Sequence, residues 1–333
     1  MNYQPMKSPL VSAAIITYNQ EDYIEKALAS VIEQKTDFDV EVIIGDDAST
    51  DHTSSVCEAY ARRYPNRVTH IRHPSNLGYI NNLLAVINNC SGKYVALLEA
   101  DDYWTSTTKL SDQVRVFETN PDVALCFTNS LIDDTQVPER VQYFDRDSDR
   151  TFDCVECLEH IVAPTSTFMF KRELFTAPDW FRELATYEYF LIYLLAAKGS
   201  IYYLNELTAC RTQHYRGQTT VSLNISKAQF ANVRHLDALL RVYPPETRMR
   251  ARNVVLQTQL RAIPFLISRG DLDLAWRLFR EIRVWKSVSD SRRPTVVRQY
   301  MKEVARLVAS SVGLKQLALR NVRSDHVRGE GPF

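Results

Sequence analysis

Carboxylates bunched at the end of an apolar run repel one another, and a hard cation is a common reason for keeping them together. Two such bunches occur here. Asp46-Asp47 follows Val42-Ile43-Ile44-Gly45, and Glu99-Ala100-Asp101-Asp102 follows Val95-Ala96-Leu97-Leu98. Asp101 and Asp102 are of the right type to hold Mg2+ or Mn2+ bridged to a diphosphate, a mode in which one or two carboxylates suffice. Asp47 stands where a carboxylate accepts a ring N–H from a uracil-like base, with Tyr18 covering the base face. Plainer alternatives stand beside these: Asp102 or Thr105 capping the helix that follows, and Asp51 or Ser49 capping a helix that begins at Thr53. Capping accounts for Ser49, Thr50 and Asp51 but leaves Asp46-Asp47 unexplained. Cys154-Val-Glu-Cys157 has metal-ligand spacing, yet a zinc site needs about four ligands, so the pair reads as structural.

These residues need a scaffold that brings chain segments 50 residues apart to one rim. Short β-branched runs predict strands at 10–17, 40–46, 68–73, 93–98 and 123–129, and amphipathic stretches predict helices at 23–34, 53–64, 79–88 and 109–119. Such alternation predicts an α/β fold with a doubly wound, mainly parallel sheet. Ligands of these sheets bind outside the carboxyl ends of the strands, where both acidic bunches fall. Residues 131–150 read as a long polar loop, 165–170 as a strand, and 187–197 as a helix capped by Gly199. From about residue 227 the pattern is helical, with one stripe at Leu272, Ala275, Trp276, Phe279 and Ile282 and another at Val297, Tyr300, Met301, Val304 and Val308.

Composition removes several classes. The 333 residues are 45% apolar, enough for one large or two ordinary domains. Only 9 are glycine, well under the usual ~7%, and no G-x-G-x-x-G or G-x-x-x-x-G-K-[ST] is present. A nucleotide here is held by side chains rather than by a glycine cradle. Forty Lys/Arg balance 40 Asp/Glu, so no global field favours nucleic acid. From residue 275 onward, however, 13 Lys/Arg face 5 acids, a +8 tail on a −8 body. Two readings of that tail stand: a solvated helical face, or a peripheral contact with anionic lipid. No apolar run reaches the ~18 residues of a membrane span and residues 1–9 have no signal-peptide core, so the expected location is cytoplasmic, with the tail reaching the inner face of the plasma membrane under the second reading.

In order and spacing, Pro9-Leu10-Val11-Ser12, Ile15-Ile16-Thr17-Tyr18-Asn19, Ile43-Ile44-Gly45-Asp46-Asp47-Ala48-Ser49-Thr50-Asp51, Asn76-Leu77-Gly78 and Leu98-Glu99-Ala100-Asp101-Asp102-Tyr103-Trp104, with Lys109-Leu110 and Gln113, resemble the family 2 inverting glycosyltransferases of GT-A fold. The resemblance covers about residues 9–215, with Glu99 standing where the D-x-D region more often starts with Asp, as in an E-x-D-D-Y-W subgroup. It implies a GT-A, Rossmann-like domain over 1–225, its nucleotide-sugar half at about 9–130 and its acceptor half at about 131–225, followed by a helical region over 226–333.

The resemblance also implies roles. Thr17, Tyr18 and Asp47 take the base and ribose, with Glu21 and Asn76 beside them; Asp102 is the metal ligand and Asp101 meets the donor sugar or phosphate. Glu188, in Tyr187-Glu188-Tyr189-Phe190-Leu191, stands in the place of the general base, where the family more often has Asp; its plainer alternative is a first-turn acid favoured by the helix dipole. Cys210-Arg211-Thr212-Gln213-His214 resembles a Y-R-x-H element with one extra residue, so that Arg211 offsets leaving-group charge and His214 binds metal or phosphate. The implied activity is inverting transfer from a nucleotide sugar, foremost a UDP-sugar, to a hydroxyl of a glycan or lipid-linked acceptor in cell-surface or exported polysaccharide synthesis, with Mg2+ or Mn2+ as cofactor. The change to Glu at 188 and the shifted Arg211/His214 spacing keep an alternative open, a non-catalytic nucleotide-sugar-binding or scaffolding subunit.

Overall fold

Apolar runs alternate with amphipathic helices through the first half of the chain, and in the computed structural model they build one sheet of ten strands. Residues 8–134, 141–142, 147–160, 163–213 and 225–281 and the isolated positions 302 and 309 are described. The chain divides into two compact units, 1–222 and 223–333.

In the first unit the elements run β1 (Val11–Thr17), α1 (Ile24–Ile32), β2 (Val40–Asp46), α2 (Thr53–Arg63), β3 (Val68–Arg72), α3 (Tyr79–Asn89), β4 (Tyr94–Glu99), β5 (Tyr103–Trp104), α4 (Lys109–Thr119), β6 (Val123–Asp134), β7 (Val141–Gln142), β8 (Arg150–Phe152), α5 (Cys154–His160), β9 (Met169–Lys171), α6 (Glu188–Ala196) and β10 (Ser200–Gln213). The strand order is β3-β2-β1-β4-β9-β6-β10-β5, with β7 on β6 and β8 on β10. β3, β2, β1 and β4 are mutually parallel, as are β6 and β10, whereas β9 runs against both β4 and β6. The sheet is therefore mainly parallel and doubly wound, as its alternating sequence predicts.

Parallel strands with both faces covered read as continuous apolar runs. β1 is buried along its whole length. Val11, Ala13 and Ile15, with Val42, Ile44, Ala96 and Leu98, pack with Ile24, Leu28 and Val31 of α1 and with Leu110, Val114 and Phe117 of α4. Residues between these, such as Ile43, Leu97 and Glu99, point to the opposite face, which α3 shares.

Several expectations are corrected. Residues 131–150 are not one loop: β6 continues to Asp134 because β10 pairs with it through Gln213, and the short strands β7 and β8 follow. The segment 165–170 is a 3-10 turn at Thr165–Thr167 before β9, not a strand. The helix before Gly199 closes at Ala197, and Gly199 is needed instead because a Cβ there would overlap the carbonyl of Asp122. All six cysteines are free and buried.

The second unit contains α7 (Ile225–Arg234), α8 (Leu236–Leu239), α9 (Pro245–Ser268) and α10 (Leu272–Glu281). α9 buries Ala251, Val255, Leu256, Leu260 and Ile263. α10 buries Ala275 and Leu278, and Arg277 places its guanidinium 4.9 Å from the Phe230 ring of α7. The expected stripe is thus shifted: Leu278 takes the deep position, while Trp276 and Phe279 are half-buried in mutual edge contact. The stripe residues Val297, Tyr300, Met301, Val304 and Val308 and most of the basic tail lie outside the described residues. Among the described residues no helix is long and apolar enough to cross a membrane.

Candidate active site

The loops that follow β1 and β2 are stitched to each other side chain to backbone. Asn19 donates its N–H to Ser49 Oγ (3.0 Å), and Asn19 Oδ1 accepts from the Thr50 N–H (2.8 Å). Glu21 donates its N–H to Asp51 Oδ2, and its own Oε2 accepts from the His52 N–H at 2.9 Å. Asp51 Oδ1 accepts from the Thr53 N–H at 3.0 Å, but the N-cap of α2 is His52, with no side-chain cap bond, so neither Asp51 nor Ser49 is the cap; Ser49 Oγ serves Asn19 instead. Glu21 is therefore an exposed stitch at the start of α2.

Asp46 is fully buried at the end of β2. Burial alone raises a carboxyl pKa, but the approach of His70 Nε2 to 3.6 Å and hydrogen bonds from Ser49 and Ser54 outweigh it and hold Asp46 well below its ordinary value. Asp47 is 2% exposed, and both its carboxylate oxygens are engaged: Oδ1 accepts from the Leu77 N–H at 2.6 Å and Oδ2 from the Gly78 N–H at 3.0 Å. Asn76 donates Nδ2 to the Asp47 carbonyl, and the Asp47 N–H reaches the Thr17 carbonyl. Thr17, Asp47 and Asn76 are thus contiguous. Gly78 has φ +85°, the left-handed region that a side chain disfavours, and it turns the chain into α3. Ala48 adopts φ +62° without that freedom.

The turn after β4 carries the second acidic bunch. Asp102 is 3% exposed; its N–H returns to the Glu99 carbonyl, and its Oδ1 accepts from the Thr212 N–H at 2.9 Å. β5 then pairs with β10 through Trp104↔Ala209 and Tyr103↔Cys210, which fixes the acidic turn beside Arg211. Helix α4 begins later, with Thr108 at its N-cap, so neither Asp102 nor Thr105 caps it. Burial, then the charges of Asp101 and Glu99, push the Asp102 carboxyl well above its usual range against the Thr212 N–H. Lys109 and Gln113 of the motif serve packing: buried Lys109 donates to Gln113 Oε1 at 2.5 Å, and Gln113 Nε2 donates to the carbonyls of Cys126 and Thr167.

Glu99 belongs to the face shared with α3. Its Oε1 lies 2.9 Å from the Tyr79 hydroxyl and 3.2 Å from that of Tyr187. Glu188, the first residue of α6, brings Oε1 to 2.8 Å from the same Tyr79 hydroxyl. The rings of Tyr79 and Tyr187 are 4.8 Å apart. Burial, then the charges of Asp101 and Glu188, push Glu99 up to about 7, with Arg211 acting in the opposite sense. A phenol carries one proton, so Tyr79 donates to one of the two carboxyl oxygens at a time. Burial and then the neighbouring carboxylates push both tyrosines well above their usual range, so both stay protonated donors.

The structure thus gathers Glu99, Asp101, Asp102, Glu188 and Arg211 near the end of β4, and Thr17, Asp47 and Asn76 around the end of β2. Tyr18 is half-buried at the end of β1 and Glu21 faces α2. His214 lies outside the described residues. Sequence reasoning gave Tyr79 and Tyr187 no role. Tyr187 adjoins Glu188, a faint signal, but Tyr79 is 109 residues from its partner and only the fold joins them.

This fold is similar to that of S. aureus TarS solved with UDP-GlcNAc, which superposes with a TM-score of 0.65 at 15% identity over 92% of this chain and 91% of that one. The fold is GT-A. Residues 12–177 match the model of glycosyl transferase family 2, and the chain belongs to that family. An uncharacterised Mycobacterium tuberculosis protein is 42% identical over 142 residues, 43% of this chain and 38% of its own. The E. coli protein WfaP, a UDP-Glc:alpha-D-GlcNAc-diphosphoundecaprenol beta-1,3-glucosyltransferase, is 33% identical over 124 residues, 37% of this chain and 47% of its own. The Salmonella typhimurium abequosyltransferase RfbV is 35% identical over 94 residues, 28% of each chain. These matches span less than half the length of the relatives.

Proposed function

We propose that this chain is an inverting glycosyltransferase that moves a sugar from a nucleotide sugar, foremost a UDP-sugar, to a hydroxyl of a glycan or lipid-linked acceptor during cell-surface or exported polysaccharide synthesis. The observation that carries this is Glu188: its carboxylate stands at the start of α6 with Oε1 held by Tyr79 and Oε2 buried with no hydrogen-bond partner among the described residues. A buried carboxylate oxygen left unsatisfied is costly, and a substrate hydroxyl is a fitting partner.

An acceptor hydroxyl is a weak nucleophile at neutral pH. Glu188 takes its proton as the oxygen attacks the anomeric carbon. The new C–O bond forms as the bond from that carbon to the diphosphate oxygen breaks; attack opposite the leaving group inverts the configuration. Thr17, Tyr18, Asp47 and Asn76 hold base and ribose, and Glu21 fixes the loop beside them. Arg211 offsets charge on the departing nucleoside diphosphate.

Asp102 and Asp101 fit a hard cation: two oxygen-donor side chains, one of them buried and destabilised as an anion by its acidic neighbours, which is relieved by a positive ion. Mg2+ or Mn2+ bound there, with His214 as a further ligand, supplies Lewis-acid neutralisation of the diphosphate. The excess of basic residues after 275 supports a peripheral contact with anionic lipid that would bring the site to a lipid-linked acceptor.

The test is a screen of UDP-glucose, UDP-galactose, UDP-N-acetylglucosamine and GDP-mannose with Mn2+, read by thermal shift and nucleotide release. Stabilisation and release by at least one donor are expected. Binding without release points to the non-catalytic subunit, and neither binding nor release overturns the proposal.

A further inference from the structure

A glutamate has one more rotatable bond than the aspartate usual at the position of Glu188, so its carboxylate needs something to fix it. Attack on an anomeric carbon demands that fixing, since a 1 Å misplacement of a reacting group costs on the order of 100-fold in rate. Four observations bear on how it is done. The Tyr79 hydroxyl is 2.8 Å from Glu188 Oε1. The same hydroxyl is 2.9 Å from Glu99 Oε1, which the Tyr187 hydroxyl approaches at 3.2 Å. Tyr187, 1% exposed, packs its ring 4.8 Å from that of Tyr79. Glu188 Oε2 is buried and makes no hydrogen bond among the described residues.

We infer that Tyr79 is the positioning residue for the base: by holding Glu188 Oε1 from α3 it fixes the carboxylate so that Oε2 is the oxygen that receives the acceptor's proton. This rests on the proposed role of Glu188. Tyr79 touches neither donor nor acceptor in this role; it acts through Glu188, and its second contact is Glu99 rather than substrate. Asp47 is part of the same construction, because its carboxylate grips the N–H groups of Leu77 and Gly78, the two residues before Tyr79. The loop that follows β2 thereby sets the start of α3, and α3 sets the base. The hydroxyl is the active element, since the ring stays packed on Tyr187 when it is removed.

The test compares Tyr79→Phe, Glu188→Gln and the double variant in the full chain, using whichever of UDP-glucose, UDP-galactose, UDP-N-acetylglucosamine or GDP-mannose the wild type turns over fastest with Mn2+. Tyr79→Phe is expected to lower kcat about 10- to 100-fold while the Kd for UDP, read by calorimetry, stays within about twofold. The double variant is expected to be no slower than Glu188→Gln, because the inferred role of Tyr79 runs through Glu188; a further loss in the double variant would route its effect through Glu99 instead and overturn this inference. A merely structural role moves melting temperature, Kd and kcat together and adds to the loss in the double variant. Wild-type kcat in Tyr79→Phe beside an inactive Glu188→Gln overturns this inference and leaves the proposed function standing. Full activity in Glu188→Gln, or no release from any donor by the wild type, overturns the proposed function and this inference with it. Should Tyr79→Phe fold poorly, Tyr79→Trp, which keeps an aromatic ring but not the hydroxyl's place, must show the same kcat loss at unchanged Kd.

Discussion

Replacing Asp47 by Asn removes one oxygen and puts an NH2 group in its place with little change in volume. The carboxylate is 2% exposed and accepts from Leu77 N–H at 2.6 Å and Gly78 N–H at 3.0 Å. Asn serves one of the two amides and turns a donor toward the other. A hydrogen bond to a charged group is worth ~1.5–3 kcal/mol, and the bond that survives is weakened to a neutral one. The negative charge also faces the N-terminal end of α3, a dipole interaction of ~0.3–1 kcal/mol. Together these give a loss of about 3 kcal/mol. At ~2–4 °C per kcal/mol for a unit of this size, Tm falls by about 6–12 °C in thermal unfolding followed by circular dichroism. Hydrogen exchange at Leu77 and Gly78 accelerates at the same time. A carboxylate that served only to meet a nucleotide base would leave Tm in place and change the Kd for UDP alone. A Tm within about 1 °C of wild type, with both amides still protected, refutes the reasoning that Asp47 builds the start of α3.

Ala48→Gly acts in the opposite direction. Ala48 sits at φ +62°, where an L side chain costs ~1–2 kcal/mol, and the added freedom of Gly in the unfolded chain returns ~0.4–1 kcal/mol of that; a Tm rise of about 1–4 °C is expected, and a fall would show that the backbone is not strained there. Acid titration reads Asp46. Its pKa in the fold lies below the ordinary 3.8 because the nearby His70 imidazole and the hydrogen bonds from Ser49 and Ser54 outweigh its burial, so the stability it contributes is complete above pH ~4–5 and is lost as pH falls from 3.8 toward the lower folded value. Asp46→Asn therefore flattens the acid limb of a stability–pH curve measured by urea unfolding, whereas an unchanged limb assigns acid lability elsewhere.

The first 130 residues were legible because β1, β2 and β4 are largely apolar runs that alternate with amphipathic helices: 40–46 and 109–119 match β2 and α4 residue for residue. β10 was not legible. Its sequence SIYYLNELTACRTQ interrupts alternation at Asn205-Glu206, and the register with β6 shifts on either side of Leu207, so the pairing is decided by a distant partner rather than by local pattern. The same cause hid the end of β6, whose polar Ser-Leu-Ile-Asp-Asp is kept as strand by β10. At the candidate site the acids were legible as bunches on strand ends and as motif positions. What sequence could not supply was the pairing among them. Glu99 reads as a neighbour of Asp102 along the chain, but strand alternation turns its side chain to the other face, where Tyr79 and Glu188 meet it. Asp47 reads as a ligand contact, and its grip on Leu77 and Gly78 emerges only when the loops after β2 and β3 come together.

Glu188 is proposed as the base of a sugar transfer run on a nucleotide held at the strand ends. Glu188→Gln keeps the shape and removes the proton acceptor. Transfer of radiolabelled sugar and binding of the intact donor should be measured on the same preparation with Mn2+. A loss in transfer rate of about 100- to 10,000-fold, the size of a missing general base, with the donor Kd unchanged, is the predicted result; transfer at the wild-type rate would contradict it.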